Sequence, residues 1–133
     1  MIEVFCDGGS RGNPGPAAWG FVVKVDGKSI FKNRGYIGIA TNNFAEYTAC
    51  VKALSWLGQN FVGKDLAVYL DSQLASSQLS GLFKVKNSKL RELIFKIRSL
   101  EPNFSSVLYK HISRNLNKEA DAQVNQALDE LGT

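Results

Sequence analysis

The sequence predicts an α/β domain with a five-stranded mixed sheet, three antiparallel strands followed by two parallel ones, flanked by helices. Two observations predict it. Strand-like segments fill the first 40 or so residues, and beyond Phe44 helical periodicity alternates with short apolar runs. A hairpin set followed by alternating helices and strands is the pattern of a mixed sheet covered by helices. The chain has 133 residues, 44% of them hydrophobic, which suits one domain over residues 1–133 with one core.

Taken in order, Ile2 to Cys6 is a short strand. Asp7 to Pro16 holds four glycines and two prolines, and a loop is expected there. Ala18 to Val25 and Ile30 to Tyr36 are strands, joined through the hairpin pair Asp26-Gly27. Apolar residues at 44, 47, 50, 51, 54 and 57 predict a helix over Phe44 to Leu57, capped by Asn42 or Asn43 and ended at Gly58. Leu66 to Leu70 is a continuous apolar run, expected as a buried strand. Ser72 to Ser80 is a short helix and Lys89 to Leu100 a longer one, with Pro102 just beyond. Val107 to Ile112 is the last strand, and Asn117 to Leu131 the last helix.

Composition excludes several classes. The N-terminus carries no basic, apolar secretory leader and no run is long enough to span a membrane, so a cytoplasmic protein without membrane contact is expected. Cys6 and Cys50 are expected as buried thiols. A zinc site would want a C-x-x-C pair and more than one His. Net charge of +4 and a pI near 9.1 favour a polyanionic partner. Pro14 and Pro16 stand where a nucleotide-binding glycine loop would start its helix. A Ser-His-Asp hydrolase would need a G-x-S-x-G elbow, which the chain lacks.

In open α/β sheets, functional groups collect beyond the carboxyl ends of the strands. Asp7 and Asp71 directly follow predicted strands, Glu46 is placed in the first turn of its helix, and Asp121 lies near the start of the last helix. Each has an ordinary explanation. Asp7 could open an Asp-Gly turn, Glu46 could complete a capping box with Asn43, Asp71 could cap the next helix, and Asp121 could answer a helix dipole. Taken singly, each ordinary explanation is the better one; the four carboxylates come from four separate elements, each at a terminus that could face one end of the sheet, and the neighbouring sequence decides.

The surrounding blocks sharpen this. Asp7-Gly8-Gly9-Ser10-Arg11-Gly12-Asn13-Pro14-Gly15-Pro16-Ala17 resembles the first signature of the type 1 ribonuclease H family. Thr41-Asn42-Asn43-Phe44-Ala45-Glu46-Tyr47 resembles the second. Asp71-Ser72-Gln73-Leu74, with Gly81 and Lys84-Val85-Lys86-Asn87, resembles the third, and His111-Ile112-Ser113-Arg114-Asn115-Leu116-Asn117-Lys118-Glu119-Ala120-Asp121 the fourth. The blocks follow family order and span nearly the whole chain.

The resemblance implies a ribonuclease H-like fold and an endonuclease that hydrolyses the RNA strand of RNA/DNA hybrids. It implies that Asp7, Glu46, Asp71 and Asp121 hold two Mg2+ or Mn2+ ions when substrate is bound, and that His111 assists proton transfer or product release. Asn13, Asn42, Asn43 and Gln73 match positions that touch the hybrid, and Thr41 matches part of a pocket for a DNA-strand phosphate. Double-stranded RNA is a second candidate substrate, and a monomer is expected.

Two departures from the family pattern carry expectations. Gln123 puts an amide where an apolar residue of the last helix usually packs. The stretch between Asp71 and His111 is too short for the extra basic handle of some members, and a separate N-terminal hybrid-binding domain is not expected. Substrate affinity is therefore expected to rest on Arg11, Lys84, Lys86, Lys89 and Arg91. Two rivals compete with this reading: a hybrid-binding module without catalysis, and another nuclease-fold enzyme such as a transposase core or a domain cut from a reverse transcriptase. Clustered negative charge gains a pure binder nothing, and the Asn-Pro-Gly-Pro and Thr-Asn-Asn blocks favour the type 1 family.

Overall fold

A computed structural model describes residues 1–81 and 85–131. Among these, the strands are β1 (Ile2–Ser10), β2 (Gly15–Val25), β3 (Lys28–Ala40), β4 (Asp65–Leu70) and β5 (Ser106–His111). The helices are α1 (Asn42–Asn60), α2 (Gln73–Leu79), α3 (Ser88–Leu100) and α4 (Lys118–Glu130). The sheet order is β3-β2-β1-β4-β5, antiparallel through β3, β2 and β1 and parallel through β1, β4 and β5. This is the predicted mixed sheet.

Period-2 alternation divides the sheet into two faces. Ile2, Val4, Cys6, Trp19, Phe21 and Val23 pack with Tyr47, Cys50, Leu54 and Leu57 of α1 in the main core. On the other face Ala18 packs with Val124, Ala127 and Leu128 of α4. Cys6 and Cys50 are both buried free thiols within the main core.

The glycine-rich segment corrects the sequence reading. β1 runs on through Gly8, Gly9 and Ser10, which pair with Trp19, Ala18 and Ala17, so the open loop shrinks to residues 11–14. Gly8 is in the strand because of what it faces. A Cβ there would collide with the backbone of Ala45 and Glu46 in α1. Asp7 therefore lies inside a strand and opens no turn.

Other boundaries move for identifiable reasons. Asp26 and Gly27 both have positive φ, at 52° and 81°, as a tight two-residue hairpin requires, so β3 starts pairing at Lys28. It continues to Ala40, with register shifts opposite Ala17/Ala18 and Val23/Lys24. α1 is capped by Thr41, whose Oγ1 accepts the Phe44 N–H at 3.2 Å, and not by Asn42 or Asn43. Such a cap contributes about 1 kcal/mol. Glu46 accordingly sits one turn inside the helix, outside any capping box. Gly58 does not end α1; it stays helical against the Asn103 side chain, and the helix runs to Asn60. α2 is capped by Ser72, which leaves Asp71 without a capping role.

Candidate active site

The parallel register aligns the carboxyl ends of three strands. Cys6 pairs with Leu70, and Leu70 with His111, so Asp7 and Asp71 emerge side by side just past one row of the sheet. The Ile112 N–H donates to the Leu70 carbonyl at 2.9 Å, which holds the end of β5 against the Asp71 turn. Gly8 lets the second turn of α1 press onto β1, and that approach brings in Glu46. On the opposite face Gly20 does the same for α4, since a Cβ there would meet the Gln123 side chain and the Ala120 carbonyl.

The result is a cavity of about 320 Å3 whose lining includes Asp7, Glu46, Asp71 and Asp121 together with Arg11, Asn42 and Arg114. The structure thus brings the four sequence-predicted carboxylates to one space. Asp7 is 7% exposed. Burial first, then the charge of Asp71, a hydrogen bond with Asp121, and the charges of Asp121 and Glu46, push its pKa up to about 9. Burial and Asp71 push Glu46 up to about 7, against the opposing pull of Ser72 and Arg114.

Raised carboxylates destabilise the folded protein at high pH. Between the ordinary carboxylate range and these raised values, the folded state binds more protons than the unfolded state, so stability falls as pH rises. Glu119 and Glu130 are held low by Lys24 and Arg34, and their contribution is lost only in acid, below the ordinary Glu range. The metal-free protein is therefore expected to melt several degrees lower at pH 9 than at pH 5. A melting series in chelator checks this; a flat or rising profile would contradict a crowded acidic cavity.

Among the described residues, no three His, Cys, Asp or Glu side chains converge into a ready-made ion cage. The carboxylates line different walls of one cavity. Oxygen donors in that number suit hard divalent ions such as magnesium or manganese, with water and a substrate phosphate left to complete the coordination.

The other predicted residues fall around this cavity. His111 is exposed at the end of β5, beside the Asp71 turn. Asn42 Oδ1 accepts from the Ser10 N–H at 2.8 Å and from the Ser10 hydroxyl, and the Asn42 N–H donates to Asn13 Oδ1 at 3.1 Å. These bonds tie the 11–14 loop to the start of α1. Both side chains spend their oxygen on this bracing, and no described residue takes either NH2 group. A second groove, of about 800 Å3, is lined by Asn13, Thr41, Asn42, Asn43, Asn87 and Lys89 among others. Gln73 is exposed at the first position of α2.

The basic residues divide. Arg11 is paired with Asp129 at 2.7 Å. Lys89 reaches the second groove, whereas Lys86 and Arg91 are exposed and line neither space. Lys84 lies outside the described residues. Gln123 is 4% exposed, and its Oε1 accepts from Arg34 Nη1 at 3.3 Å, while Arg34 also grips Glu130 through two nitrogens. The amide in an apolar position thus has a partner, and α4 is held to β3.

Sequence reasoning assigned no role to three residues the structure brings in. Arg114 faces Glu46 across the cavity. Asn87 caps α3 with Oδ1 and lines the second groove. Asn117, expected only as a helix start, makes no side-chain cap and points its amide at the site. A signal existed for the last of these, because Asn117 stands one helical turn before Asp121.

Comparison with known proteins agrees with this picture. A family model described as reverse transcriptase-like matches residues 5–127. The chain is 40% identical over 130 residues to ribonuclease HI of Halobacterium salinarum, covering 97% of this chain and 65% of that protein. It is 37% identical to a bifunctional protein of Mycobacterium tuberculosis, covering 96% of this chain and 35% of that one. It thus spans a third to two-thirds of these relatives. LC11-RNase H1, solved in complex with an RNA/DNA hybrid, superposes with a TM-score of 0.95 at 36% identity, each chain covered in full.

Proposed function

The chain belongs to the type 1 ribonuclease H family, and we propose that it is an endonuclease hydrolysing the RNA strand of RNA/DNA hybrids with the help of divalent metal ions. The observation that carries this is the single cavity lined by Asp7, Glu46, Asp71 and Asp121, with Asp7 and Glu46 strained by burial and by Asp71.

Phosphodiester hydrolysis needs a water to attack phosphorus, neutralisation of the phosphoryl oxygens, and a stabilised leaving ribose oxygen. Two Mg2+ or Mn2+ ions bound among the carboxylates would supply that charge neutralisation and a more acidic water. Asp71, whose charge bears on both Asp7 and Glu46, would hold metal together with them. Arg114 offsets charge at Glu46. His111, exposed beside the Asp71 turn, serves as a proton carrier for the departing oxygen or helps the product leave. His111→Ala is expected to lose part of the activity only, about 10²–10⁴-fold at most for a lost general acid. A folded variant with no activity at all would demand a larger role.

Selectivity for a hybrid needs contacts with the 2′-hydroxyl, which donates and accepts hydrogen bonds. The NH2 groups of Asn13 and Asn42, and the amides of Asn43 and Gln73, are donors suited to it. Thr41, Asn87 and Lys89 line the second groove, which suits the phosphates of the DNA strand. Arg11, Lys86 and Arg91 add a diffuse cationic surface, and affinity should fall with salt. No helix among the described residues is long and apolar enough to cross a membrane; we place the protein in the cytoplasm, acting as a monomer.

The test is cleavage of an end-labelled RNA/DNA hybrid beside matched double-stranded RNA and DNA, with magnesium, manganese or chelator. Metal-dependent cutting of the hybrid's RNA strand supports the proposal and ranks double-stranded RNA as a substrate. Binding without cutting under every metal condition would sink it in favour of a hybrid-binding module.

A further inference from the structure

Asn117 precedes α4 and is 1% exposed. Its Nδ2 donates to the Cys6 carbonyl at 2.9 Å and to Asp71 Oδ2 at 3.0 Å. Its own backbone carbonyl accepts the Asp121 N–H at 3.1 Å. Cys6 is the residue before Asp7. One residue therefore grips β1 next to Asp7, one oxygen of the Asp71 carboxylate, and the first turn of the helix that carries Asp121.

The grip has a cost. Asn117 Oδ1 is buried with no hydrogen-bond partner among the described residues. Few buried polar atoms are left in that condition, and each calls for an explanation. The amide is retained for its NH2. An aspartate of the same shape would set an oxygen against two acceptors, and an aliphatic residue would release them both.

We propose that Asn117 is a positioning residue that fixes the orientation of Asp71 and its spacing from Asp7 and Asp121 for divalent-ion binding. This rests on the reading that these carboxylates hold the ions. Asn117 occupies one Asp71 oxygen and leaves the other to the ion. Outer-shell partners of this kind orient metal ligands.

The test is manganese binding to the full chain without substrate, followed by electron paramagnetic resonance of the unbound ion. Wild type, Asn117→Ala and Asn117→Ser are compared at a temperature where circular dichroism shows each folded. Manganese affinity is expected to fall about 10–100-fold in the variants, and in cleavage assays kcat should fall while KM for the hybrid holds. A purely structural asparagine would lower the melting temperature and leave the affinity of the folded protein unchanged. Wild-type affinity in either folded variant overturns the proposal, and so does failure of both variants to fold, which would make Asn117 a folding residue. If wild type itself binds no manganese, the metal reading of the carboxylates fails and this inference with it.

Discussion

Asp71→Asn is expected to abolish cleavage of the hybrid while raising the melting temperature of the metal-free protein. Both effects have one origin. The charge of Asp71 is the leading electrostatic cause of the raised pKa of Asp7 and of Glu46. Like charges repel in a cavity of low dielectric, and removing Asp71 relieves its repulsion with Asp7 and with Glu46 together. The neutral amide can keep the bond from Asn117 Nδ2 by presenting its oxygen, so little packing is lost. The carboxylate's charge is lost and an NH2 group replaces the oxygen left free for metal, and activity is lost with it. The gain in melting temperature should be largest near pH 8–9 and shrink toward pH 5, where Asp7 and Glu46 are already protonated. A variant that melts lower than wild type at pH 8 in chelator would contradict electrostatic crowding. A variant that still cuts would contradict the role given to Asp71.

The sheet and its helices were legible in the sequence because their signals are periodic. Trp19, Phe21 and Val23 alternate, and Tyr47, Cys50, Leu54 and Leu57 recur at helical spacing. The four acidic residues were legible because each stands inside a recognisable block, although Asp7 lies within β1 and Glu46 one turn inside α1. The strand through Gly8 and Gly9 was not. Glycine reads as a breaker when only the local chain is considered, whereas here its missing side chain answers a contact with α1, 37 residues away in sequence at Ala45. The Thr41 cap was hidden for a related reason, since Asn42 is spent on Ser10 and leaves capping to its neighbour. Gln123 read as a packing defect until Arg34 on β3 supplied its partner. Contacts between distant elements decided each of these, and no spacing rule carries them.

Gly8→Ala and Gly9→Ala separate the two meanings of glycine in this strand. A Cβ at Gly8 would strike the backbone carbonyl of Ala45 and the Glu46 nitrogen, and backbone has no rotamer with which to yield. α1 must therefore shift away from β1. A Cβ at Gly9 would meet only Val124 Cγ1 at 3.7 Å and Asn42 Oδ1 at 3.8 Å, ordinary contacts. Overpacking typically costs about 1–3 kcal/mol, and a displacement of about 1 Å at a catalytic group can cost about 100-fold in rate. Gly8→Ala should thus lose stability and about two orders of magnitude in cleavage, because the turn it displaces carries Glu46. Gly9→Ala should melt close to wild type and keep most of its activity. The measurement is a melting curve and a hybrid-cleavage rate for each variant, side by side. Equal damage from both would mean that the strand needs glycine for its own backbone, and the account of how Glu46 reaches Asp7 would fall. Damage confined to Gly8 would tie the placement of a candidate metal ligand to the absence of a single methyl group on the neighbouring strand.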